Sequence, residues 1–533
     1  MLWGVLLSGV IGVVLRFIHI TRSGLFFFDE GYYLNYNRMF VDLASAHPPQ
    51  GFKAFLDVLY ALLRVSLATG KALWFFVADA RVLWGGAQWW FFPKIISALA
   101  GSLTLLLVYL FAKRFYGSKW VGGLSVVILA VLPSHVFYSR LSLQEALSTL
   151  FFILAFYFYF FPRKFGYRTF ISSFLFACVF FTNYRLIIVP VLVASVEIFY
   201  WVALREGIQW RKFLWHTLIF FFFVFMVGNI DRAQNTIVTF SWMFHQAQLA
   251  QTNGPLQLWD FLSYPYYFFR LESFFFGLFF FANIWHLVRK EWLRAWPFLF
   301  VCLLMGLFSF AADQAARYLC VGLPFAAMAV ASIIVFFFSQ NSGKRIRVGI
   351  VALTVLLLGS LLLRSGIIAG STSDYQSAVV FLNKIKRNVK FMSTQSYVQN
   401  LYARNRHHVA EAPHGFSGFL KLYSSGFDYL VVCPQAYISY TDSKIRFDPQ
   451  LEGYLGFIVR QVKPVKVFPH FNEVMLERFV FEHNENFLNS LKFLRLKNRG
   501  QGTLRIYDVK ECLQNIASRM GPVGDAQENN FSR

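Results

Sequence analysis

The chain has 533 residues, of which 57% are hydrophobic, 20% aromatic and only 14% charged, and its mean hydropathy is positive. A soluble globular chain carries about 25% charged residues, and apolar runs of about 20 residues, enough to cross a bilayer, recur here, which excludes a string of soluble domains. The formal net charge of +23, from 50 Lys and Arg against 27 Asp and Glu, does not point to nucleic acid, because much of the excess sits in short clusters between apolar runs, as in the cytoplasmic loops of membrane proteins.

The first span is predicted over 2–20; it has no basic n-region and no small-residue cleavage site, so it reads as an uncleaved helix rather than a signal peptide. A first outer loop of about 21–89 follows. Further spans are predicted at roughly 90–112, 120–138, 143–161, 169–183, 186–204, 213–229, 267–288, 295–312, 318–338 and 348–368, about 11 transmembrane helices in all. Basic clusters fall at alternate gaps: Lys113/Arg114/Lys119, Arg163/Lys164/Arg168, Arg205/Arg211/Lys212, Arg289/Lys290/Arg294 and Lys344/Arg345/Arg347. That side is expected to be cytoplasmic, which puts the N-terminus inside and the first loop and everything after about 370 outside. Arg16 and Arg22 argue locally for the reverse orientation and are outvoted by the later clusters.

From about 370 the composition becomes that of a soluble domain. Tyr429-Leu430-Val431-Val432 and Thr503-Leu504-Arg505-Ile506-Tyr507 read as strands among helix-like stretches, so 370–512 is predicted to be an extracytoplasmic α/β domain. The aromatic stretch from Phe416 to Tyr423 fits its core better than a surface that contacts an acceptor. Residues 513–533 read as a disordered tail. Cys178, Cys302 and Cys320 lie in apolar spans; Cys433 and Cys512 are able to pair in an oxidising compartment, but the five cysteines form no framework and no zinc spacing.

An ionisable side chain in a membrane segment is expensive and needs an explanation. Asp29, Glu30, His135, Arg140, Glu145, Arg185, Arg270, Glu272, Asp313 and Arg317 come from distant parts of the sequence yet share one expected depth, at the outer ends of the spans. The pair Asp29-Glu30, inside Phe28-Asp29-Glu30-Gly31-Tyr32-Tyr33, suits a base with a neighbour that tunes it, and equally suits a solvated pair at a helix start. An arginine at this depth offers bidentate donors to a phosphate, or is a snorkelling anchor beside interfacial tyrosine. His47-Pro48-Pro49 and His135 are explained by a stiff loop and a capped helix end. The sequence has no phosphate-binding glycine loop, no nucleophile elbow and no dinucleotide fingerprint. No cofactor follows from the residues, and no ligand spacing supports a divalent cation.

At these residues the chain resembles the polytopic GT-C glycosyltransferases, in the branch of the protein O-mannosyltransferases and aminoarabinose transferases. Asp29-Glu30 followed by Tyr32 and Tyr33 is similar to their acidic pair in the first outer loop, and His47-Pro48-Pro49 to the Pro-Pro segment after it. The run from Phe92-Pro93-Lys94 through Gly101 to Lys113-Arg114-Phe115-Tyr116-Gly117 resembles the next block. Pro133-Ser134-His135, Tyr138-Ser139-Arg140, Gln144-Glu145-Ala146-Leu147, Thr182-Asn183-Tyr184-Arg185 and Arg317-Tyr318 up to Leu323-Pro324 complete a likeness over roughly 1–340. Lys94 and Asn183 depart from the arginine and lysine common at those places, and the stretch from about 54 to 88 is longer than usual.

The resemblance implies an inverting glycosyltransferase of the cell envelope. It would move a hexosyl or pentosyl group from a polyprenyl-phosphate carrier to a hydroxyl of a protein, lipid or glycan at the outer face of a plasma (bacterial inner) membrane. Asp29 would be the general base, and Glu30 would orient it or bind substrate. Arg185 and Arg317 would stabilise the departing phosphate, with Arg140 and Arg270 as further candidates and Tyr32 and Tyr318 lining the pocket. The alternatives are a transporter or flippase of a lipid-linked or amphipathic substrate, which calls for polar residues at mid-membrane in paired repeats, and a membrane-anchored binding protein.

Overall fold

The computed structural model describes residues 2–20, 23–25, 30, 91–161, 164–230, 258–310, 316–340, 343–386, 388–403, 408–413, 415–433, 449–468 and 503–520. The chain divides into two compact units, one of Met1–Ile20, Arg38–Leu83 and Phe92–Ala369, the other of Thr21–Asn37, Trp84–Phe91 and Gly370–Arg533.

The first unit is helical. Its elements are α1 (Leu2–Phe17), α2 (Phe91–Tyr116, entered from the second unit), α3 (Lys119–Ala130), α4 (Pro133–Tyr138), α5 (Glu145–Phe160), α6 (Tyr167–Thr182), α7 (Val189–Leu204), α8 (Trp210–Ile230), α9 (Leu258–Tyr267), α10 (Phe274–Phe281), α11 (Ile284–Val288), α12 (Trp292–Ser309), α13 (Leu323–Gln340) and α14 (Lys344–Gly370). Among the described residues, five helical stretches are long and apolar enough to cross a membrane: Lys94–Tyr116, Arg185–Leu204, Trp292–Ser309, Ala316–Gln340 and Lys344–Ile385. Leu6–Phe17, Lys119–Ala130, Glu145–Phe160, Tyr167–Phe180 and Phe274–Val288 are apolar but shorter. Two of the expected spans are broken for local reasons. Pro133 at the start of α4 ends the run expected over 120–138, and a π-helical turn at Phe268–Glu272, with Ser273 capping α10, divides the one expected over 267–288.

Rings interlock at the centre of this unit, which is where much of the phenylalanine goes. Phe156 lies 4.9 Å from Phe176 and 5.0 Å from Phe300, Trp296 lies 4.8 Å from Phe160 and 4.9 Å from Phe300, and Phe300 lies 4.8 Å from Phe325. Lipid tails are as apolar as these side chains, so their ordering comes from close packing and ring geometry rather than from escape from water.

The second unit carries α15 (Tyr375–Ile385), β1 (Phe391–Ser393), α16 (Ser396–Tyr402), β2 (Val409–Glu411), α17 (Phe416–Ser424), β3 (Tyr429–Val432), α18 (Pro449–Gln461), β4 (Lys466–Phe468), β5 (Leu504–Asp508) and α19 (Val509–Met520). The sheet order is β2-β1-β3-β5-β4. β1 is parallel to both β2 and β3, while β5 runs antiparallel to β3 and β4, with Leu430 opposite Tyr507. Met392, Phe419, Leu430, Val432, Tyr454, Leu455, Ile458 and Tyr507 form its core, so Phe419 of the aromatic stretch is a core residue. Helix α19 reaches Met520, into the stretch expected to be tail, because Val509, Cys512 and Ile516 recur on one face and bury there. Cys433 and Cys512 are both free thiols.

Candidate functional site

Among the described residues of the first unit, three short stretches are 3-10 or π-helical, and they hold most of the arginines singled out above. A 3-10 turn at Tyr184–Ile188 carries Arg185 and leads into α7. The π turn Phe268–Glu272 carries Arg270 and Glu272 and leads into α10. A second 3-10 turn at Ala316–Gly322 carries Arg317 and Tyr318 and leads into α13. Each has a local cause. The Asn183 side chain accepts from the Arg185 N–H at 3.3 Å, the Ser273 hydroxyl accepts from the Phe276 N–H at 3.0 Å, and Pro190 and Pro324 fall in the first turns of α7 and α13. Such irregular backbone is tolerated at membrane depth only where protein or a polar cavity satisfies it, and 3-10 and π turns recur at functional sites.

The turns bring Arg185 and Arg317 to one ring. The Arg185 guanidinium lies 4.2 Å from the centroid of Tyr318 and that of Arg317 lies 5.8 Å from it. Tyr318 is buried, while both arginines are half-buried. A ring face attracts each cation, and two guanidinium groups around one ring form a place where an anion with several acceptor oxygens gains on both sides. Glu145, at the start of α5, and Glu272, on the π turn, are buried carboxylates, and Glu272 Oε2 accepts from the Ser134 N–H at 3.2 Å. Arg270 is buried on the π turn, 5.9 Å from the ring of Tyr266.

Arg140 is placed differently. Its Nη1 donates to the carbonyls of Leu15 and Ile18, each at 2.8 Å, and of Arg16 at 3.3 Å, and its Nη2 donates to that of Ala369 at 2.9 Å. These are the carbonyls left over where α1 and α14 end. Three further side chains do the same work and were not singled out from the sequence for it. Arg16, fully buried, donates to Gly12 at 2.6 Å, Ala130 at 3.2 Å and Leu129 at 3.3 Å, and its Nη2 lies 2.6 Å from His135 Nδ1. That contact makes Nδ1 the acceptor and leaves the ring proton on Nε2. Arg364 donates to the carbonyls of Arg270 and Leu271 that the π turn releases, and the Ser365 hydroxyl donates to that of Val131 at 2.8 Å. The signal for Arg16 was available: an arginine within Val14-Leu15-Arg16-Phe17 needs partners to stay in an apolar setting.

Asp29 and Tyr32 lie outside the described residues, as do His47 and Asp313. Glu30 is described; it is fully buried and belongs to the second unit. Among the described residues no three of His, Cys, Asp and Glu gather as metal ligands would.

No family model matches the sequence, and no curated protein does. Among solved structures the chain is similar to the oligosaccharyltransferase of Archaeoglobus fulgidus in its apo form, with 11% identity and a TM-score of 0.50 over 81% of this chain and 69% of that one. It is also similar to ArnT from Cupriavidus metallidurans in the apo state, with 14% identity and a TM-score of 0.48 over 81% of this chain and 93% of that one. Both neighbours are GT-C glycosyltransferases. At 11% identity the likeness to the oligosaccharyltransferase is one of fold, and the fold is the one implied by the motifs between Asp29 and Pro324.

Proposed function

We propose that this membrane protein is an inverting glycosyltransferase that moves a hexosyl or pentosyl group from a polyprenyl-phosphate carrier to an acceptor hydroxyl at the outer face of the plasma membrane. One observation carries the proposal: Arg185 and Arg317, on separate turns that interrupt apolar helices, meet at the ring of Tyr318. A polyprenyl tail partitions into lipid and leaves its phosphate at the membrane interface, where such a pair of guanidinium groups binds it. The fold shared with an oligosaccharyltransferase supports the same chemistry.

In the proposed reaction Asp29 takes the proton of the acceptor hydroxyl as its oxygen attacks the anomeric carbon. The bond from that carbon to the phosphate oxygen breaks, the configuration inverts, and polyprenyl phosphate leaves. Base catalysis of this kind contributes about 10²–10⁴-fold. Glu30 orients Asp29 or binds a sugar hydroxyl, and Tyr32 lines the pocket. Arg185 and Arg317 take up the charge that grows on the leaving phosphate, where fixed cations act without reorganising. Arg270 supports them from the π turn. Arg140, with its bonds to four carbonyls, contributes by holding the ends of α1 and α14. The protein is proposed to sit with its N-terminus in the cytoplasm and residues 370–512 outside, where the acceptor, on a protein, lipid or glycan, is met.

The test uses wild type, Asp29→Asn and Arg317→Ala in lipid nanodiscs with a panel of polyprenyl-phosphate sugars and hydroxyl acceptors, reading release of polyprenyl phosphate by mass spectrometry. Wild type is expected to release it. Asp29→Asn should lose at least about 10²-fold in rate, and Arg317→Ala should need about tenfold more carrier for half-maximal rate. Equal rates for wild type and Asp29→Asn would remove Asp29 as the base, and an unchanged carrier dependence in Arg317→Ala would remove the phosphate site.

A further inference from the structure

The second unit contains more than the C-terminal sheet. Thr21–Asn37 belongs to it, and that stretch carries Asp29-Glu30. Its beginning is fastened by two hydrogen bonds. The Tyr402 hydroxyl, at the end of α16, accepts from the Leu25 N–H at 2.8 Å. The Ser373 N–H donates to the Ser23 carbonyl at 2.8 Å. Between them Gly24 has φ +75°, and a Cβ there would stand 2.9 Å from Ser373 Oγ, so glycine supplies both the left-handed conformation and the room for two backbones to meet.

The contacts lie out of water. Ser23 and Leu25 are fully buried, Tyr402 is 6% exposed, and Glu30, at the far side of Asp29, is fully buried as well. A buried hydrogen bond of this kind is costly to leave unmade. The fastening lies apart from the core cluster of the sheet. That core is built from β1, β3, β5, α17, α18 and α19 around Phe419, Leu430 and Tyr454, without any of residues 23–25 or Tyr402.

We propose that Tyr402, Gly24 and Ser373 are positioning residues for the acidic pair. On this proposal the fastening of residues 23–25 within the second unit governs turnover rather than carrier binding. The inference rests on the assignment of Asp29 as base. None of the three residues touches the reacting atoms; each acts through the backbone of 23–25, which ends four residues before Asp29.

The experiment uses the full-length protein in nanodiscs as wild type, Tyr402→Phe, Gly24→Ala and Tyr454→Phe. Tyr454 is the control, because its hydroxyl donates to the Pro413 carbonyl at 2.7 Å within the core of the same unit. Two readouts are taken: hydrogen exchange of peptides covering 23–37, and carrier-dependent release of polyprenyl phosphate. Tyr402→Phe and Gly24→Ala are expected to exchange faster over 23–37 and to lose kcat on the order of 10- to 100-fold, as misplaced catalytic groups do, at unchanged KM for the carrier. Tyr454→Phe should leave both readouts as in wild type. Unchanged exchange in Tyr402→Phe overturns the fastening, and faster exchange with full kcat overturns its catalytic purpose. An equal kcat loss in Tyr454→Phe reduces the effect to general stability and overturns the proposal too. If wild type releases no carrier phosphate, the assignment of Asp29 falls with the proposed reaction, while the exchange data still decide whether the stretch is held.

Discussion

At the scale of single residues, the buried and half-buried arginines of the first unit divide by what the structure brings to them. Arg16, Arg140 and Arg364 spend donors on backbone carbonyls that helix ends and the π turn release. Arg185 and Arg317, half-buried, meet at the Tyr318 ring. The division is physical: a carbonyl with no water within reach takes whatever donor the fold can bring, and a guanidinium reaches several at once. Replacing Arg16 by Met is therefore expected to cost on the order of 2–5 kcal/mol, because the Ala130 carbonyl loses the donor that Arg16 brings to it. Thermal unfolding in a fixed detergent checks this, and Arg16→Lys should fall between Met and wild type, keeping one donor centre but not the fork. A melting temperature unchanged by Met would mean that this carbonyl finds another donor. The hydropathy pattern made Arg16 conspicuous as a charge in an apolar run, but it offered no means of separating a carbonyl clamp from a phosphate ligand, since both begin as an arginine near a span end.

At the scale of elements, close approach depends on where the glycines fall. Gly12 is the point at which α1 meets α2 and α3: a Cβ there would stand 2.8 Å from both Ala130 Cβ and Leu105 Cδ1. At Gly101 on α2 a Cβ would stand 2.6 Å from Ser139 Cβ and 3.2 Å from Arg16 Nε. Small residues at helix crossings let backbones pack without lipid between them. Gly12→Val should lower stability by about 1–3 kcal/mol through overpacking, whereas Gly9→Val, whose Cβ meets nothing within 4 Å, should leave it unchanged. Equal melting temperatures for the two variants would show that α1 does not pack on α3 through this face. The helices themselves were legible from apolar run length. Their breaks were only partly so: Pro133 announces one, while the π turn at Phe268–Glu272, followed by the Ser273 cap, has the carbonyls it releases met by Arg364 from a distant helix.

At the scale of the whole molecule, the chain is a helical membrane unit and a mixed α/β unit, and the second includes residues from near the N-terminus. The cysteines of the α/β unit show how closed its interior is. Burial pushes the Cys433 and Cys512 thiols up to about 12, so at pH 8 only about one in 10⁴ would be thiolate. Neither should react with a maleimide in the folded protein at that pH, and both should react once the unit is unfolded. Labelling of either in the folded protein, counted by intact mass, would mean that the unit opens at low cost.

The sequence by itself determined what depends on consecutive residues: that the protein belongs in a membrane, where its main apolar helices run, and that strands lie in its C-terminal part. Hydropathy, charge clusters and alternation are local sums, and they survive whatever the chain does at long range. Only the tertiary structure decided which polar groups act together. Arg185 and Arg317 share Tyr318, Arg16 meets His135, and Tyr402 holds Leu25 across most of the chain. Such pairings follow from the requirement that most buried donors and acceptors find a partner. That requirement is met by whatever folding brings near, and nothing in the spacing of the residues along the chain records it.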